Sequence, residues 1–329
     1  MKLLFLAGSG PHSHSYGDGF LFDGLATVYG YDSVLDLPAN PTFHLQRDKA
    51  TGELLRDDCG LDSDLDWPVR QIYPAMDELT AIVLCVLDAS AWRLCREFPK
   101  LPVIAVDGSD EVRDRRAEYE HVAGRPLMAY CKRELPLGET WGHPFPLSYP
   151  ARRVGTLPPK EPIIFYHATD HNGGAPGLPR RKIVEYLRAN VPAENLDVEL
   201  YRGQEKGSRP SPEAYHKRMA RASVGISWNG AANWDCNRFW ENLAYGLVQV
   251  CEAPRIRLPG KDAFYNLRDH PDRSGICEIV KSPDEIGPFA EHRLKFPSDL
   301  GERGRQWFLK YGSSEARAKQ LVEIIMGSI

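Results

Sequence analysis

A cation and a carboxylate, Arg238 and Glu241, stand three residues apart in a segment whose pattern predicts a short helix. The apolar side chains that would form the buried face of this helix are Phe239, Trp240, Leu243, Ala244 and Leu247. The opposite face would carry Arg238, Glu241, Asn242 and Tyr245. Such a helix places both charges beside its N-terminus, where unpaired backbone N–H groups attract phosphate.

This arrangement suits a sugar nucleotide, with the helix dipole and Arg238 binding the diphosphate and Glu241 binding two ribose hydroxyls. Asn229, in the polar loop before the helix, and Asn237, at its start, are further candidates for the same site. The residues also fit a surface helix that carries an Arg–Glu pair and is capped by Asp235 or Asn237. The segment by itself supports the two interpretations equally.

Basic residues elsewhere are secondary candidates for the diphosphate. Arg181 and Lys182 begin a predicted helix after the glycine-rich loop 172–177, which is flexible enough to close over a donor. Arg202 follows the predicted strand 196–201, at the carboxyl end where open α/β sheets bind ligands. A mobile connection and solvated loop charges are the simpler interpretations of these residues.

A proton acceptor for an attacking hydroxyl is expected in the first loop, residues 8–19, which directly follows the first strand. The candidate catalytic residues are His12, His14 and Asp18. Histidine titrates near neutral pH, and a nearby carboxylate can orient it. Asp88 and Asp107, which end strands on the same edge, are alternatives. Clustered His, Ser and Gly also occur in ordinary loops, and the segment matches neither Walker A nor G-x-G-x-x-G.

No metal ion and no cofactor are expected. Asp62-Ser-Asp64 matches the letters of a D-x-D motif, but it lies in a long polar excursion, and such tripeptides are common by chance. His167, Asp170 and His171 follow a predicted strand, and we interpret them as a solvated loop rather than as metal ligands. The seven cysteines show no C-x-x-C spacing, so neither a disulfide framework nor a zinc site is indicated.

The chain has 329 residues, a length at which single cores usually stop growing, so two domains are expected. Its formal charge of -4 gives no global reason to expect a polyanionic partner. The apolar run 2–7 is shorter than the core of a signal peptide, and we interpret it as a strand. No run approaches the roughly 20 apolar residues that span a bilayer. We therefore expect a cytoplasmic protein.

Short Val/Ile/Leu runs alternate with helical patterns over most of the chain, which predicts parallel sheets covered by helices on both faces. A Pro-rich stretch between residues 142 and 159 predicts a linker. We therefore predict an α/β protein of two doubly wound domains, residues 1–152 and 153–312, followed by a C-terminal helix in residues 313–329.

The run Arg238-Phe-Trp-Glu-Asn-Leu-Ala-Tyr-Gly246 resembles the R-x-(F/W)-E-x-x-A-x-G block of glycosyltransferases with the GT-B fold. The nearest likeness is to the group described as CgeB-like or glycosyltransferase-family-1-like. The segment 215–227 and the tail from residue 304 are also similar to these enzymes, so the likeness covers roughly residues 160–325. It implies two Rossmann-like domains that face each other across a cleft. It further implies a nucleotide-sugar donor bound without a metal by the C-terminal domain, an acceptor bound by the N-terminal domain, and a last helix that crosses back.

One position departs from the family pattern. Many retaining members carry an E-x7-E spacing that would end at Glu241, but Asn233 stands where the first glutamate would be. The resemblance therefore leaves the sugar and the stereochemical outcome open. The expected acceptor is a glycan, a small molecule or a protein. A hydroxylated DNA base is an alternative, although the basic residues in 113–117 are offset by neighbouring acids, and a GT-B-like binding protein without activity is another.

Overall fold

The computed structural model describes most of the chain, and structural statements below refer to the described residues. These are residues 1–7, 16–37, 78–109, 111–170, 177–202, 210–228, 236–252, 256–257 and 275–328. The chain divides into two compact units. Unit 1 comprises Met1–Pro150 together with Ser314–Ile329, and unit 2 comprises Ala151–Ser313. In the described ranges, no helix is both long enough and apolar enough to cross a membrane.

Unit 1 contains a parallel sheet with the strand order β2-β1-β3-β4-β5-β6. Its strands are β1 (Lys2–Leu6), β2 (Val34–Asp36), β3 (Leu79–Leu84), β4 (Val103–Asp107), β5 (Ala129–Lys132) and β6 (His143–Pro144). Its helices are α1 (Tyr16–Tyr29), α2 (Ala89–Glu97), α3 (Arg116–Ala123) and α9 (Ser314–Ser328). Alternate strand residues face opposite sides, so α1 and α9 bury one face of the sheet while α2 and α3 bury the other.

Unit 2 contains a second parallel sheet with the strand order β11-β10-β9-β7-β8. Its strands are β7 (Glu161–Asp170), β8 (Leu196–Arg202), β9 (Ala222–Ser227), β10 (Val248–Glu252) and β11 (Cys277–Val280). Its helices are α4 (Gly177–Asn190), α5 (Pro212–Arg221), α6 (Asn237–Ala244), α7 (Pro283–Lys295) and α8 (Leu300–Tyr311). Helices α4 and α7 cover one face, and α5, α6 and α8 contact strands from the other.

The two sheets share one topology. In each, the first strand lies between the second and the third, so the strand order reverses at β1/β3 in unit 1 and at β7/β9 in unit 2. Open α/β sheets bind ligands outside the carboxyl ends of the strands at such a switch point. The predicted α/β class with two doubly wound, Rossmann-like sheets is confirmed.

Two local features of unit 1 differ from the sequence predictions. Helix α1 begins at Tyr16, so Asp18 lies in its first turn rather than in the preceding loop. The Pro-rich stretch expected as a linker contains β6, and residues 145–150 are buried in unit 1. The aromatic side chains of Phe145 and Tyr149 drive this burial, and a proline is tolerated in β6 because it is an edge strand.

Candidate functional site

Helix α6 begins at the carboxyl end of the unit 2 sheet, beside the β7/β9 switch point. The predicted buried face of this helix is confirmed, because Phe239, Trp240 and Leu243 are almost fully buried. The residue before the helix, Cys236, has extended backbone and makes no side-chain capping bond. Asn237 is therefore the first helical residue rather than the cap. Asp235 and Asn229, the other residues predicted here, lie outside the described residues.

Close packing against β9 and α8 fixes the position of α6. A Cβ on Gly225 of β9 would lie 2.6 Å from Cγ of Asn242, so only a glycine lets the helix approach this strand. Gly246, with a φ of 68°, ends the helix, and a Cβ on Gly301 of α8 would lie 2.4 Å from its carbonyl oxygen. The second half and the end of α6 are thereby packed closely against β9 and α8.

Two residues predicted on the open face of α6 are buried instead. Asn242 is 2% exposed and donates from Nδ2 to Oε1 of Gln249 at 2.7 Å, and Tyr245 is 3% exposed. The helix is covered by strands on one side and by α8 on another, so an open face four residues wide does not exist. Of the predicted polar face, Arg238 and Glu241 remain partly accessible.

Arg238 and its neighbours carry buried polar atoms without partners. The guanidinium donates from Nη1 to the carbonyl oxygen of His167 at 3.3 Å. Its Nε, the hydroxyl of Tyr166 and Oδ1 of Asn237 are buried and have no hydrogen-bond partner in the described part of the chain. Each such atom costs about 1–3 kcal/mol when left unpaired. These atoms lie at a switch point of the sheet, where a ligand could complete their hydrogen bonds.

Arg180 also belongs to this cluster, although the sequence predictions named its neighbours. Burial raises the pKa of the Tyr166 hydroxyl, and the positive charges of Arg238 and Arg180 act against that rise, so both cations lie near it. Arg180 is 6% exposed. Two cations, in the first turns of α4 and α6, thus act electrostatically on the same tyrosine of β7.

Glu241 lies one turn after Arg238 and is oriented by a tyrosine. The Tyr215 hydroxyl donates to its Oε2 at 3.1 Å. Burial raises the pKa of Glu241, and the Tyr215 bond and the Arg238 charge act against this shift. A carboxylate with one oxygen held by a tyrosine can present the other to a ligand hydroxyl.

A buried polar network lies beneath these side chains. His167 accepts or donates at both ring nitrogens, with the Tyr201 hydroxyl 2.6 Å from Nδ1 and Oδ1 of Asp197 2.7 Å from Nε2. Arg218 binds both oxygens of Asp197. Burial would raise the pKa of Asp197, but the bonds from His167 and Arg218 outweigh it and lower the pKa. The ring of Phe165 stacks on His167 at 4.4 Å.

The interpretation of His167 and Asp170 as a solvated loop is wrong, because β7 extends through Asp170 and His167 is buried in it. His171 lies outside the described residues. His167 has protein partners at both ring nitrogens, which fix its ring. Its backbone carbonyl oxygen accepts from Arg238. No cluster of His, Cys, Asp and Glu suited to a metal occurs within the described ranges.

The remaining basic candidates occupy less central positions. Arg181 is half-buried on α4, and Lys182 is exposed, with its Nζ 3.7 Å from Oδ1 of Asp284. Arg202 ends β8, and its backbone lies opposite Asp170 of β7. Arg202 is therefore at the predicted edge of the sheet, whereas Lys182 points towards solvent.

Of the candidates for a base, Asp18 lies at the equivalent edge of unit 1. Asp18 is 5% exposed in the first turn of α1, next to the β1/β3 switch point, while His12 and His14 lie outside the described residues. Both alternatives have structural roles. Asp88 caps α2 by accepting from the Ala91 N–H at 2.8 Å. Asp107 is fully buried in a hydrogen-bond network with Tyr130 and Lys132.

Asp107 makes three hydrogen bonds at the end of β4. It accepts from the Tyr130 hydroxyl at 2.6 Å, from Nζ of Lys132 at 2.9 Å and from the Ser109 N–H at 3.0 Å. Burial would raise its pKa, but these bonds outweigh burial and lower it. A carboxylate so occupied is a poor proton acceptor, which disfavours Asp107 as the base.

Comparison with known proteins places the fold. No protein-family model matches the sequence, and no curated protein sequence matches it. Anabaena Alr3699/HepE, solved in complex with UDP, is similar in structure at 10% identity and a TM-score of 0.57, over 99% of this chain and 100% of that chain. An alpha-glucosyltransferase in complex with UDP and a 13-mer DNA is similar at 10% identity and a TM-score of 0.58, over 98% and 99%.

AviGT4, a glycosyltransferase involved in Avilamycin A biosynthesis, is similar at 13% identity and a TM-score of 0.52, over 99% of this chain and 97% of that chain. At these identities the likeness shows the fold. The chain has the GT-B fold of these glycosyltransferases, as the resemblance in sequence implied.

Proposed function

We propose that this protein is a glycosyltransferase that takes its sugar from a nucleotide-sugar donor bound by unit 2. The observation that carries the proposal is the pairing, at the start of α6, of Glu241 with Arg238, whose buried Nε has no partner among the described residues. A cation, a helix N-terminus and a carboxylate one turn apart match a diphosphate followed by a ribose. This site lies at the switch point of the sheet.

The donor would be bound in two parts. The N-terminus of α6 and the Arg238 guanidinium would bind the diphosphate, with Arg180 adding a second cation near the Tyr166 hydroxyl. Glu241, oriented by Tyr215, would accept hydrogen bonds from the ribose hydroxyls. Alr3699/HepE was solved with UDP and with UDP-glucose, which makes uridine donors the first to test. Among proteins of this fold, the R-x-(F/W)-E pattern at Arg238–Glu241 favours the CgeB-like group.

The reaction requires stabilisation of the charge on the departing nucleoside diphosphate and removal of the proton from the acceptor hydroxyl. As the sugar departs, negative charge grows on the nucleoside diphosphate, and Arg238 with the α6 dipole would stabilise it without a metal or other cofactor. A base would accept the proton of the acceptor hydroxyl. His12, His14 and Asp18, which follow the first strand of unit 1, are the residues proposed for that step.

The acceptor proposed is a glycan, a small molecule or a protein. A hydroxylated DNA base is the second candidate, because one protein of similar fold was solved with UDP-glucose and DNA. Binding to DNA would depend steeply on salt, because counterions are released from the phosphates. A gel-shift series over salt concentration therefore separates the two acceptor classes.

The donor site is tested by calorimetric titration with UDP, UDP-glucose and the GDP-, ADP- and dTDP-sugars. Arg238→Ala and Glu241→Ala each remove charge-assisted hydrogen bonds worth about 1.5–3 kcal/mol, so Kd should rise about 10- to 150-fold. The matched control is Arg221→Ala with Glu161→Ala. These residues form a bidentate Arg–Glu pair at the amino end of the same sheet, and their loss should leave Kd unchanged.

Two results would contradict the proposal. If no nucleotide binds the folded wild-type protein, unit 2 does not hold a donor. If Arg238→Ala and Glu241→Ala bind as tightly as the control variants, the donor lies elsewhere. Transfer of the sugar or hydrolysis of the donor, measured as release of the nucleoside diphosphate, would exclude a binding protein without activity.

A further inference from the structure

A cavity of about 260 Å³ lies in unit 1 beside the edge strand β6. It is bounded by the start of α3, the beginning of β5 and residues 140–143. A Cβ on Gly142 would lie 3.2 Å from a ring carbon of Tyr130, so the glycine keeps this space open. Neither the donor site nor the candidate bases use this cavity.

Two aromatic rings form its walls. The ring centroids of Tyr130 and Trp141 are 5.9 Å apart, and their planes are inclined by 39°. The hydroxyl bond to Asp107 fixes the Tyr130 ring, and Trp141 is only partly buried. The Trp141 ring, supported by the buried ring of Tyr130, therefore presents apolar surface to a ligand at little cost in side-chain entropy.

Polar groups surround these rings. Arg116 donates from Nη2 to the Trp141 carbonyl oxygen, and its guanidinium carbon lies 5.7 Å from the centre of the Tyr130 ring. Desolvation and the Arg116 charge both lower the pKa of His143, which favours the neutral imidazole with one donor and one acceptor. The Thr140 side chain is exposed at the rim.

The charge around the cavity does not suit a nucleic acid. On the neighbouring segment, Arg113 pairs with Glu111 and Glu118, and Arg115 also pairs with Glu118. Arg116 is thus the cation that this segment directs to the cavity. One cation does not form the basic track that follows a phosphate backbone. One aromatic face bordered by a few donors and acceptors suits an uncharged, polyhydroxylated ring instead.

We infer that this cavity binds one sugar unit of a glycan. The ring of the sugar packs on the partly exposed Trp141 ring, and Arg116, His143 and Thr140 bond its hydroxyls. The identification of this glycan as the acceptor of the reaction rests on the proposed function. Binding of the sugar does not, because it needs neither Arg238 nor Glu241.

Saturation-transfer NMR tests this inference with glucose, galactose, mannose, N-acetylglucosamine and a mixed-sequence single-stranded DNA. At least one sugar should receive saturation from the wild-type protein. The signal should fall about fivefold or more in Trp141→Ala and Arg116→Met, and Trp141→Phe should retain most of it. Trp92→Ala is the matched control, because Trp92 with Arg96 at 3.7 Å forms the same residue pair outside the cavity.

Three outcomes would overturn the inference. They are the absence of any sugar signal from the wild-type protein, a signal equally strong in Trp141→Ala and Trp92→Ala, and a DNA signal that depends on Trp141 while the sugars give none. UDP titration of the same samples separates this inference from the proposed function. If the wild-type protein binds UDP but no sugar, the glycan cavity alone is refuted. If it binds a sugar but no UDP, the donor site alone is refuted.

Discussion

Lys132 and Asp107 form a buried ion pair at the carboxyl ends of β5 and β4, and its loss should destabilise unit 1 by about 3 kcal/mol. Both side chains are 0% exposed, and Nζ lies 2.9 Å from Oδ2 of Asp107. Nζ also donates to the hydroxyl and the carbonyl oxygen of Ser109. Lys132→Met removes all three bonds and leaves a buried carboxylate without its cation.

The magnitude follows from what remains. Removing one partner of a buried pair costs about 3–5 kcal/mol, because the other charge is left uncompensated. Asp107 keeps its bonds from the Tyr130 hydroxyl and the Ser109 N–H, which places the loss at the lower end of that range. The double variant Asp107→Asn/Lys132→Met removes both charges. Its loss should be smaller than the sum of the single losses by about 2 kcal/mol.

The effect should also depend on pH. The pKa of Asp107 is lowered below 3.8, because its hydrogen bonds outweigh the opposing effect of burial. A lowered carboxyl pKa stabilises the fold above pH 3.8, and this contribution is lost as the pH falls through the folded-state value. The difference in unfolding free energy between the wild-type protein and Lys132→Met should therefore shrink in acid.

Native-state hydrogen exchange of peptides from β4 and β5 measures this loss. It reports the opening free energy of unit 1 and does not require the whole chain to unfold in one step. Lys100→Met, at an exposed lysine of the same unit, should change it by less than about 0.5 kcal/mol. The buried ion pair is not stabilising if Lys132→Met lowers the opening free energy as little as Lys100→Met does. It is not coupled if the losses from Asp107→Asn and Lys132→Met add up in the double variant.

Three further predictions concern the donor site. Tyr215→Phe removes the bond to Glu241 at 3.1 Å, so the Kd for UDP should rise about fivefold by calorimetry, and an unchanged Kd would show that the tyrosine does not orient the carboxylate. Because burial raises the pKa of Glu241 above 4.5, UDP affinity should fall as the pH drops from neutral. Protonation of the UDP phosphates affects binding to the wild-type protein and to Glu241→Gln alike, but the variant should lack the further loss of affinity that comes from protonation of Glu241. Identical pH profiles for the two proteins would refute the assignment of Glu241 to the ribose. Gly225→Ala places a Cβ 2.6 Å from Asn242, so overpacking should destabilise unit 2 by about 1–3 kcal/mol, and an unchanged thermal midpoint would contradict the close packing of α6.

The local elements of the site could be predicted because they depend on short-range patterns. The 3.6-residue spacing of Phe239, Trp240 and Leu243 defines the buried face of α6, and the structure confirms it. The same rule could have found Arg180, which precedes the buried residues Ile183, Val184 and Leu187 by three, four and seven positions. An arginine on the apolar face of a helix indicates a buried charge with a specific role.

The rest of the site depends on contacts between distant residues. Tyr215 meets Glu241 across 26 positions, and Arg238 reaches the carbonyl oxygen of His167 across 71. Periodicity within one element carries no information about such pairs. For the same reason the sequence did not show that Asn242 would be covered, because its burial depends on Gly225 and Gln249 in two other strands.

Helix α9 has a consequence for the order in which the chain folds during translation. Ala318, Leu321 and Ile325 complete the core that Phe5 and Leu25 begin, so that face of unit 1 stays exposed until α9 leaves the ribosome. Unit 2 is one continuous stretch that is synthesised before α9. We therefore expect nascent chains to fold unit 2 first, which inverts the usual N-terminal-first order. Stalled chains that end before Ser314 should show a protease-resistant unit 2 and a protease-sensitive unit 1.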